Sequence, residues 1–279
     1  MRPATPASWS ATSTRFSRLF SVLKFPYECL VLYGGLLLFT VAFSAWSTVA
    51  ILIYPLVPRT VRCRFGQYMA MRMFGGYIAV LKASGIFKFD LTALDALRGD
   101  GAMIIAPNHP SLLDAVMIGS RLPRITCIMK TEIQDNFILG GGARLAGYIR
   151  DTPPLAMIRS AVVSLRAGNQ LLMFPEGTRT RQQSRYDFKG GYALIAKTAG
   201  VPVQTVLIET NSLFLSKGWP LLKKPAFPLI YRVRLGRRFE VDGKVKRAVA
   251  DMEHYHHEAM AGSAQVRTES VRHNSKAVA

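Results

Sequence analysis

From residue 29 to residue 58, between Glu28 and Arg59, the chain carries no charged side chain, a run of about 30 residues. An uncharged apolar run above roughly 18 residues is long enough to cross a bilayer. As one straight helix it would extend about 45 Å at about 1.5 Å per residue, more than the roughly 30 Å hydrocarbon core requires. The excess length predicts tilt, protrusion or a break, with Gly34-Gly35 and Pro55 as the candidate breakpoints. Residues 25–60 are therefore assigned to a membrane-embedded helix or a re-entrant helical hairpin. Arg15, Arg18 and Lys24 precede the run and Arg59, Arg62 and Arg64 follow it, so the positive-inside rule gives no orientation. A hairpin with both ends in the cytoplasm accounts for that symmetry. The apolar run continues well past the small residues Ala42, Ser44 and Ala45, unlike the h-region of a cleaved signal peptide.

From about residue 100 the rhythm changes to short apolar runs separated by helical stretches. Met103–Ala106, Ile125–Met129, Gln170–Phe174, Val201–Ile208 and Leu229–Leu235 have the pattern of strands. Leu112–Ser120, Pro154–Ala167, Gly191–Ala199 and Val245–Met260 have the pattern of helices. The alternation predicts an α/β domain over residues 61–260, a mixed sheet flanked by helices, preceded by the N-terminal membrane-embedded helical segment. Residues 1–24 form a basic lead and residues 261–279 a tail. Residues 1–14 are rich in Ser, Thr, Pro and Ala and the tail has too little apolar content to pack, so the lead and the tail are expected to be disordered.

With 36 Lys plus Arg against 17 Asp plus Glu, the net charge of +19 implies attraction to something negative such as phosphate, nucleic acid or anionic lipid. Nucleic-acid binding would interleave basic residues with stacking aromatics. Here the basic residues flank an apolar run, so membrane lipids are the expected partner and nucleic acid is not. Cys29, Cys63 and Cys127 are odd in number and lack a C-x-x-C spacing, which argues against a disulfide framework and a cysteine metal site. His254, His256 and His257 are not spaced as a facing i, i+4 pair and read as a polar helix surface, so no metal site is expected.

The chemistry is concentrated at the strand ends. His109 follows the first strand of the α/β unit, and Pro110 suits the first turn of the helix after it. From a helix entrance the imidazole can fold back to Asp114, one turn in, and the carboxylate can orient it and stabilise its protonated form. That is what a general base needs, although the same pair fits a histidine capping a helix. Phe174-Pro175-Glu176-Gly177-Thr178-Arg179 ends a later strand in a turn combining a carboxylate, a glycine that permits close approach and a guanidinium suited to phosphate. A structural Glu176 to Arg179 ion pair fits that turn equally well. Between these segments lies Gly147-Tyr148-Ile149-Arg150, where Arg150 is either a second phosphate ligand or a solvated charge.

Together these segments resemble the glycerolipid acyltransferase family that includes bacterial 1-acylglycerol-3-phosphate acyltransferases. His109 to Asp114, with Asn108 and Ser111 around it, resembles that family's first motif, Gly147 to Arg150 its second and Phe174 to Arg179 its third. Val201-Pro202-Val203 resembles the opening of the fourth, from which Gln204-Thr205-Val206 departs. The resemblance implies acyl transfer from acyl-CoA or an acyl carrier protein thioester, as co-substrate and with no bound cofactor, to the hydroxyl of a lysophospholipid. The acceptor it implies first is 1-acylglycerol 3-phosphate. His109 would be the base and Asp114 its orienting group, with Asn108, Ser111, Gly147, Arg150, Glu176, Gly177, Thr178 and Arg179 lining the acceptor site. It also implies a bacterial inner membrane with the catalytic domain on the cytoplasmic side. The departure in the fourth block, with Pro110 and Leu112 in the first, keeps open a specialised acceptor such as an aminolipid or a polyene pigment. A non-catalytic lipid binder is the remaining alternative.

The segment from Asn211 to Pro228 mixes Phe214, Leu215, Trp219, Leu221, Leu222 and Phe227 with Lys217, Lys223 and Lys224. This composition fits a loop that dips into a membrane interface, and also a loop that packs its apolar residues on the domain. Arg232, Arg234, Arg237 and Arg238 read as a solvated strand face.

Overall fold

The computed structural model describes residues 10–136, 138–179 and 188–276. Helix α1 (Ser10–Ile53) is followed by a turn through Pro55 and by α2 (Arg59–Ala83). Strand β1 (Phe87–Asp90) and a 3₁₀ turn lead to β2 (Ile104–Pro107) and α3 (Leu113–Gly119). Strand β3 (Ile125–Met129) is joined through α4 (Thr131–Gln134) and α5 (Gly140–Leu145) to β4 (Ile149–Arg150). Then come α6 (Pro154–Arg166), β5 (Gln170–Leu172), α7 (Gly191–Ala199), β6 (Val203–Thr210), β7 (Leu229–Phe239) and α8 (Val245–Lys276).

The seven strands form one mixed sheet in the order β1-β7-β6-β2-β5-β3-β4. Strands β6, β2, β5, β3 and β4 run parallel, β7 is antiparallel to β6, and β1 is parallel to β7. Alternation within each strand sorts side chains to two cores. Ile105, Leu172, Val206 and Ile208 face the layer built from α1, α2 and α3. Ile104, Ala106, Leu171 and Val203 face α6, α7 and α8. The carboxyl ends of the parallel strands meet at one edge of the sheet, where open α/β folds gather polar residues.

Two boundaries differ from expectation. Helix α1 begins at Ser10 and passes through Pro26 and Gly34-Gly35, so the basic lead is helical from residue 10 and the only turn among the candidate breakpoints is at Pro55. Gly35 faces Leu81 and Tyr77, and its missing side chain lets α2 approach instead of breaking α1. Helix α8 continues to Lys276 through most of the expected disordered tail. That tail has no proline and includes Ala261, Ala264, Gln265, Arg267, Glu269, Arg272 and Lys276, residue types that sustain a helix without packing. Residues 1–9 and 277–279 lie outside the described ones.

Helix α1 packs on the domain along a stripe of Glu28, Leu32, Phe43, Ser47 and Ala50, whose spacings are sums of three- and four-residue steps. Leu23, Phe25, Leu30, Leu37, Val41 and Leu52 on its other faces are exposed. The span Leu23–Ile53 is long and apolar enough to cross a membrane. Phe39 and Phe43 stack, and Phe43 also meets Phe74 and Tyr77 of α2.

Candidate active site

Where β2 ends, the chain is held by side chains that substitute for backbone. Asn108 is buried, and its amide donates to Ile208 O at 2.9 Å and accepts from Ile208 N at 2.7 Å. This carries the β2–β6 ladder beyond Pro107. Ser111, also buried, donates through Oγ to Phe214 O at 3.0 Å, and Leu112 N donates to Leu215 O. The loop from Asn211 to Pro228 thereby covers the start of α3. Both Asn108 and Ser111, expected in acceptor binding, spend their side-chain hydrogen bonds on positioning the backbone around His109.

His109 Nδ1 lies 2.8 Å from Asp114 Oδ2. The same oxygen accepts the Ser111 N–H at 2.8 Å. Helix α3 starts at Leu113, so Pro110 lies in the loop before it and not in its first turn, while Asp114 is in that turn. The His109 ring stacks on Phe174 at a centroid distance of 3.7 Å and 16° between planes. His109 N donates to Glu176 Oε1 at 3.3 Å. Adjacent strands β2 and β5 thus bring the His109 segment and the Phe174 turn together.

Asp114 has no exposed surface, and its Oδ1 has no hydrogen-bond partner among the described residues. Desolvation pushes its carboxyl above the usual range, opposed by the hydrogen bonds from His109 and Ser111 and by the charge of Arg179. A carboxylate made more basic by burial holds Nδ1–H more firmly. With Nδ1–H donating to Asp114, the basic lone pair of the imidazole is on Nε2. The arrangement can accept a proton and stabilise the resulting imidazolium.

The turn after β5 is anchored by Gly177 N donating to Phe174 O at 3.0 Å, with Gly177 at φ 64°, in the left-handed region that favours glycine. Thr178 is exposed. Glu176 and Arg179 do not form the ion pair that the sequence left open: Glu176 faces His109, and Arg179 donates through one guanidinium nitrogen to Leu215 O and Ser216 O at 3.0 and 2.9 Å. Arg179 pins the β6–β7 loop against the site.

Gly147, at φ 70°, abuts the Cys63 side chain, and β4 follows it. Arg150 pairs with Asp135 at 2.6 Å, with both side chains about half exposed. Strand β4 is three positions from β2 in the sheet, about 14 Å at about 4.8 Å per strand. Arg150 therefore shares the sheet edge with His109 without adjoining it. His256 departs from the polar-surface expectation. It has no exposed surface and packs edge-on to Phe188, while His254 is exposed and pairs with Glu258.

Lys189 was missed in the sequence, because the eight residues between it and Thr180 hide its proximity to Gly177. Its Nζ lies 3.1 Å from where a Cβ on Gly177 would stand. The signal that was available is the turn glycine itself.

The family described as Acyltransferase matches residues 88–209. A 1-acyl-sn-glycerol-3-phosphate acyltransferase of Pseudomonas aeruginosa is 24% identical over 222 residues, covering 77% of this chain and 83% of that protein. A lyso-ornithine lipid O-acyltransferase of the same organism is 34% identical over 111 residues, 38% of this chain and 43% of that protein. The crystal structure of the 1-acyl-sn-glycerophosphate (LPA) acyltransferase PlsC from Thermotoga maritima has the same fold. It superposes with a TM-score of 0.60 at 20% identity, covering 81% of this chain and 93% of that one.

Proposed function

Because this chain belongs to the glycerolipid acyltransferase family and is an acyltransferase, we propose that it moves a fatty acyl group from an acyl-CoA or acyl carrier protein thioester to the free hydroxyl of 1-acylglycerol 3-phosphate, giving phosphatidate. The observation that carries this reading is the 2.8 Å contact between His109 Nδ1 and the buried Asp114 carboxylate. His109 Nε2 takes the proton from the acceptor hydroxyl as its oxygen attacks the thioester carbonyl. The tetrahedral intermediate collapses, the carbon–sulfur bond breaks, and the thiolate leaves and regains the proton from the imidazolium. Asp114 stabilises the imidazolium in between, and no acyl-enzyme is required.

The acceptor is reached at a membrane. The buried stripe of α1 follows the domain from Glu28 to Ala50, about 33 Å at about 1.5 Å per residue. A helix that crossed the bilayer upright over that length would draw the domain face in with it. The contact supports a helix lying in the interface with its outer apolar face among the lipids. The excess of positive charge fits as well, since lysines near anionic lipid gain on the order of 1 kcal/mol each.

A second reading, transfer to an aminolipid acceptor, is favoured by two observations. The match to the lyso-ornithine lipid enzyme is 34% identical, against 24% for the 1-acylglycerol-3-phosphate enzyme of the same organism, although over a shorter stretch. Arg150 and Arg179, the expected phosphate ligands, are engaged by Asp135 and by loop carbonyls.

Purified protein supplied with labelled acyl-CoA or acyl carrier protein and a panel of lysolipids, read by product mass, separates the two. Phosphatidate is the expected product; acylation of lyso-ornithine lipid alone moves the assignment to the second reading. His109→Ala abolishes transfer with every acceptor and leaves vesicle association unchanged. Near-normal turnover in that variant would show that His109 is not the base.

A further inference from the structure

The acceptor's negative charge needs a partner close to His109. In 1-acylglycerol 3-phosphate, two carbons and an ester oxygen separate the reacting hydroxyl from phosphorus, so the anion sits within about one strand spacing (~5 Å) of the hydroxyl. Arg150 is three strands from β2 and paired with Asp135. Arg179 is adjacent but holds Leu215 O and Ser216 O.

Lys189 stands on the turn whose Phe174 and Glu176 contact His109. Its backbone N–H donates to Pro175 O at 2.9 Å, which fastens it to the turn that contains Glu176 and Gly177. Its side chain lies along that turn: Cδ, Cε and Nζ are 3.1, 3.2 and 3.1 Å from the place a Gly177 Cβ would take. Gly177 thus serves twice, by its positive φ and by making room for this ammonium group. Lys189 is exposed and has no acidic partner among the described residues. The acidic neighbour on the turn, Glu176, is buried and accepts the His109 N–H. Lys130, exposed at the end of β3 on the same sheet edge, is another cation among the described residues. It stands one strand further from β2, because β5 lies between β2 and β3.

We propose that Lys189 Nζ is the cation that receives the anionic head group of the acceptor lipid, a phosphate or the carboxylate of an amino-acid head group. The proposal rests on the reading of His109 as the acyl-transfer site, and it explains why the turn after β5 keeps a glycine beneath a lysine.

The test is equilibrium binding of lysophosphatidate, lyso-ornithine lipid and uncharged monoacylglycerol to full-length His109→Ala protein, with and without Lys189→Met, Lys189→Arg or Lys130→Met. Lys189→Met should weaken binding of at least one anionic acceptor by about tenfold, leave monoacylglycerol unaffected and leave the thermal midpoint unchanged, and Lys189→Arg should restore most of the loss. Which anionic lipid responds distinguishes phosphate from carboxylate. In the enzyme with His109 intact, Lys189→Met should raise the acceptor KM by a similar factor without changing the donor KM. Unchanged binding of both anionic lipids, an equal loss for monoacylglycerol, a rise in donor KM instead, or a loss confined to Lys130→Met overturns the proposal. Retained turnover in His109→Ala overturns the reading of His109 as the base separately, because the binding comparison does not depend on turnover.

Discussion

Burial acts on Asp114 and His256 in opposite directions, because it disfavours the charged form of each. At Asp114 the cost is offset by His109 and the Ser111 N–H. At His256, desolvation pushes the imidazole down to about 4, against hydrogen bonds with the backbone of Met252 and Val206 that raise it. The unfolded histidine titrates near 6.5. Above that pH both states are neutral and the buried ring contributes its full packing. As pH falls below it, the unfolded chain takes up a proton that the folded chain refuses, so stability declines until the folded ring also protonates. The loss is about 2 kcal/mol between about pH 7 and about pH 5. Thermal or denaturant unfolding at those two pH values should show His256→Gln losing less stability on acidification than the natural chain; equal losses would mean that His256 is solvated. Sequence reasoning found the His109–Asp114 pair because only four residues lie between the partners and local geometry alone can join them. It did not find the engagement of Arg179 or the burial of His256. Those depend on Leu215 and Phe188, which are distant in sequence.

The elements legible in the sequence are those long enough to show a period. Strands β3 and β6, and helices α6 and α7, lie close to their predicted limits. Strand β1 has four residues and β4 two, too few for alternation to stand out, and both are defined by their partners β7 and β3. The departure at Gln204-Thr205 also has a structural role. A bulge between β6 and β7 falls there, and Gln204 Nε2 and Thr205 Oγ1 donate to the Gly236 and Arg237 carbonyls. Helices α2 and α5 were missed because glycines interrupt their apolar pattern, and those glycines are what seat them. A Cβ on Gly66 would lie 2.4 Å from the Leu145 carbonyl carbon and 2.5 Å from Ala146 N, so α2 and the end of α5 touch backbone to backbone. Gly141 meets Ser47 of α1 in the same way, donating its N–H to Ser47 Oγ at 2.8 Å. Gly66→Ala should therefore cost about 1–3 kcal/mol by overpacking, despite alanine's better helix propensity. A lowered thermal midpoint checks this; an unchanged or raised midpoint would mean that the two helices separate without penalty.

At the scale of the whole molecule, the sheet edge that carries His109 and the exposed apolar face of α1 are joined through the β6–β7 loop. Phe214 and Leu215 of this loop enter the core and their carbonyls hold Ser111, Leu112 and Arg179. Further along, Tyr33 of α1 donates to Leu222 O, and Lys224 pairs with buried Glu28 while lying over Phe25 and Phe227. The packing reading of the loop therefore holds for these residues, and the interface reading concerns the ones left exposed. Leu221 and Leu222 remain exposed beside the outer face of α1, with Lys217 and Lys223 exposed near them. Lys224 belongs to the internal clamp, so replacing it would disturb the fold and not report on lipid contact alone. The discriminating variant replaces Leu221 and Leu222 with Ser and Lys217 and Lys223 with Gln, leaving Lys224 in place. Vesicle co-sedimentation should show weaker binding to anionic bilayers, by about tenfold or more given on the order of 1 kcal/mol per lysine near the surface. The lysine part of the loss should fade as salt is raised, because exposed charges are screened within about 10 Å at about 0.1 M, while the leucine part persists. Turnover on a detergent-dispersed acceptor should remain near that of the natural chain. If binding is unchanged at low salt, the outer face of α1 holds the membrane without the loop; if dispersed-substrate turnover falls equally, the loop acts on the site and not on the bilayer.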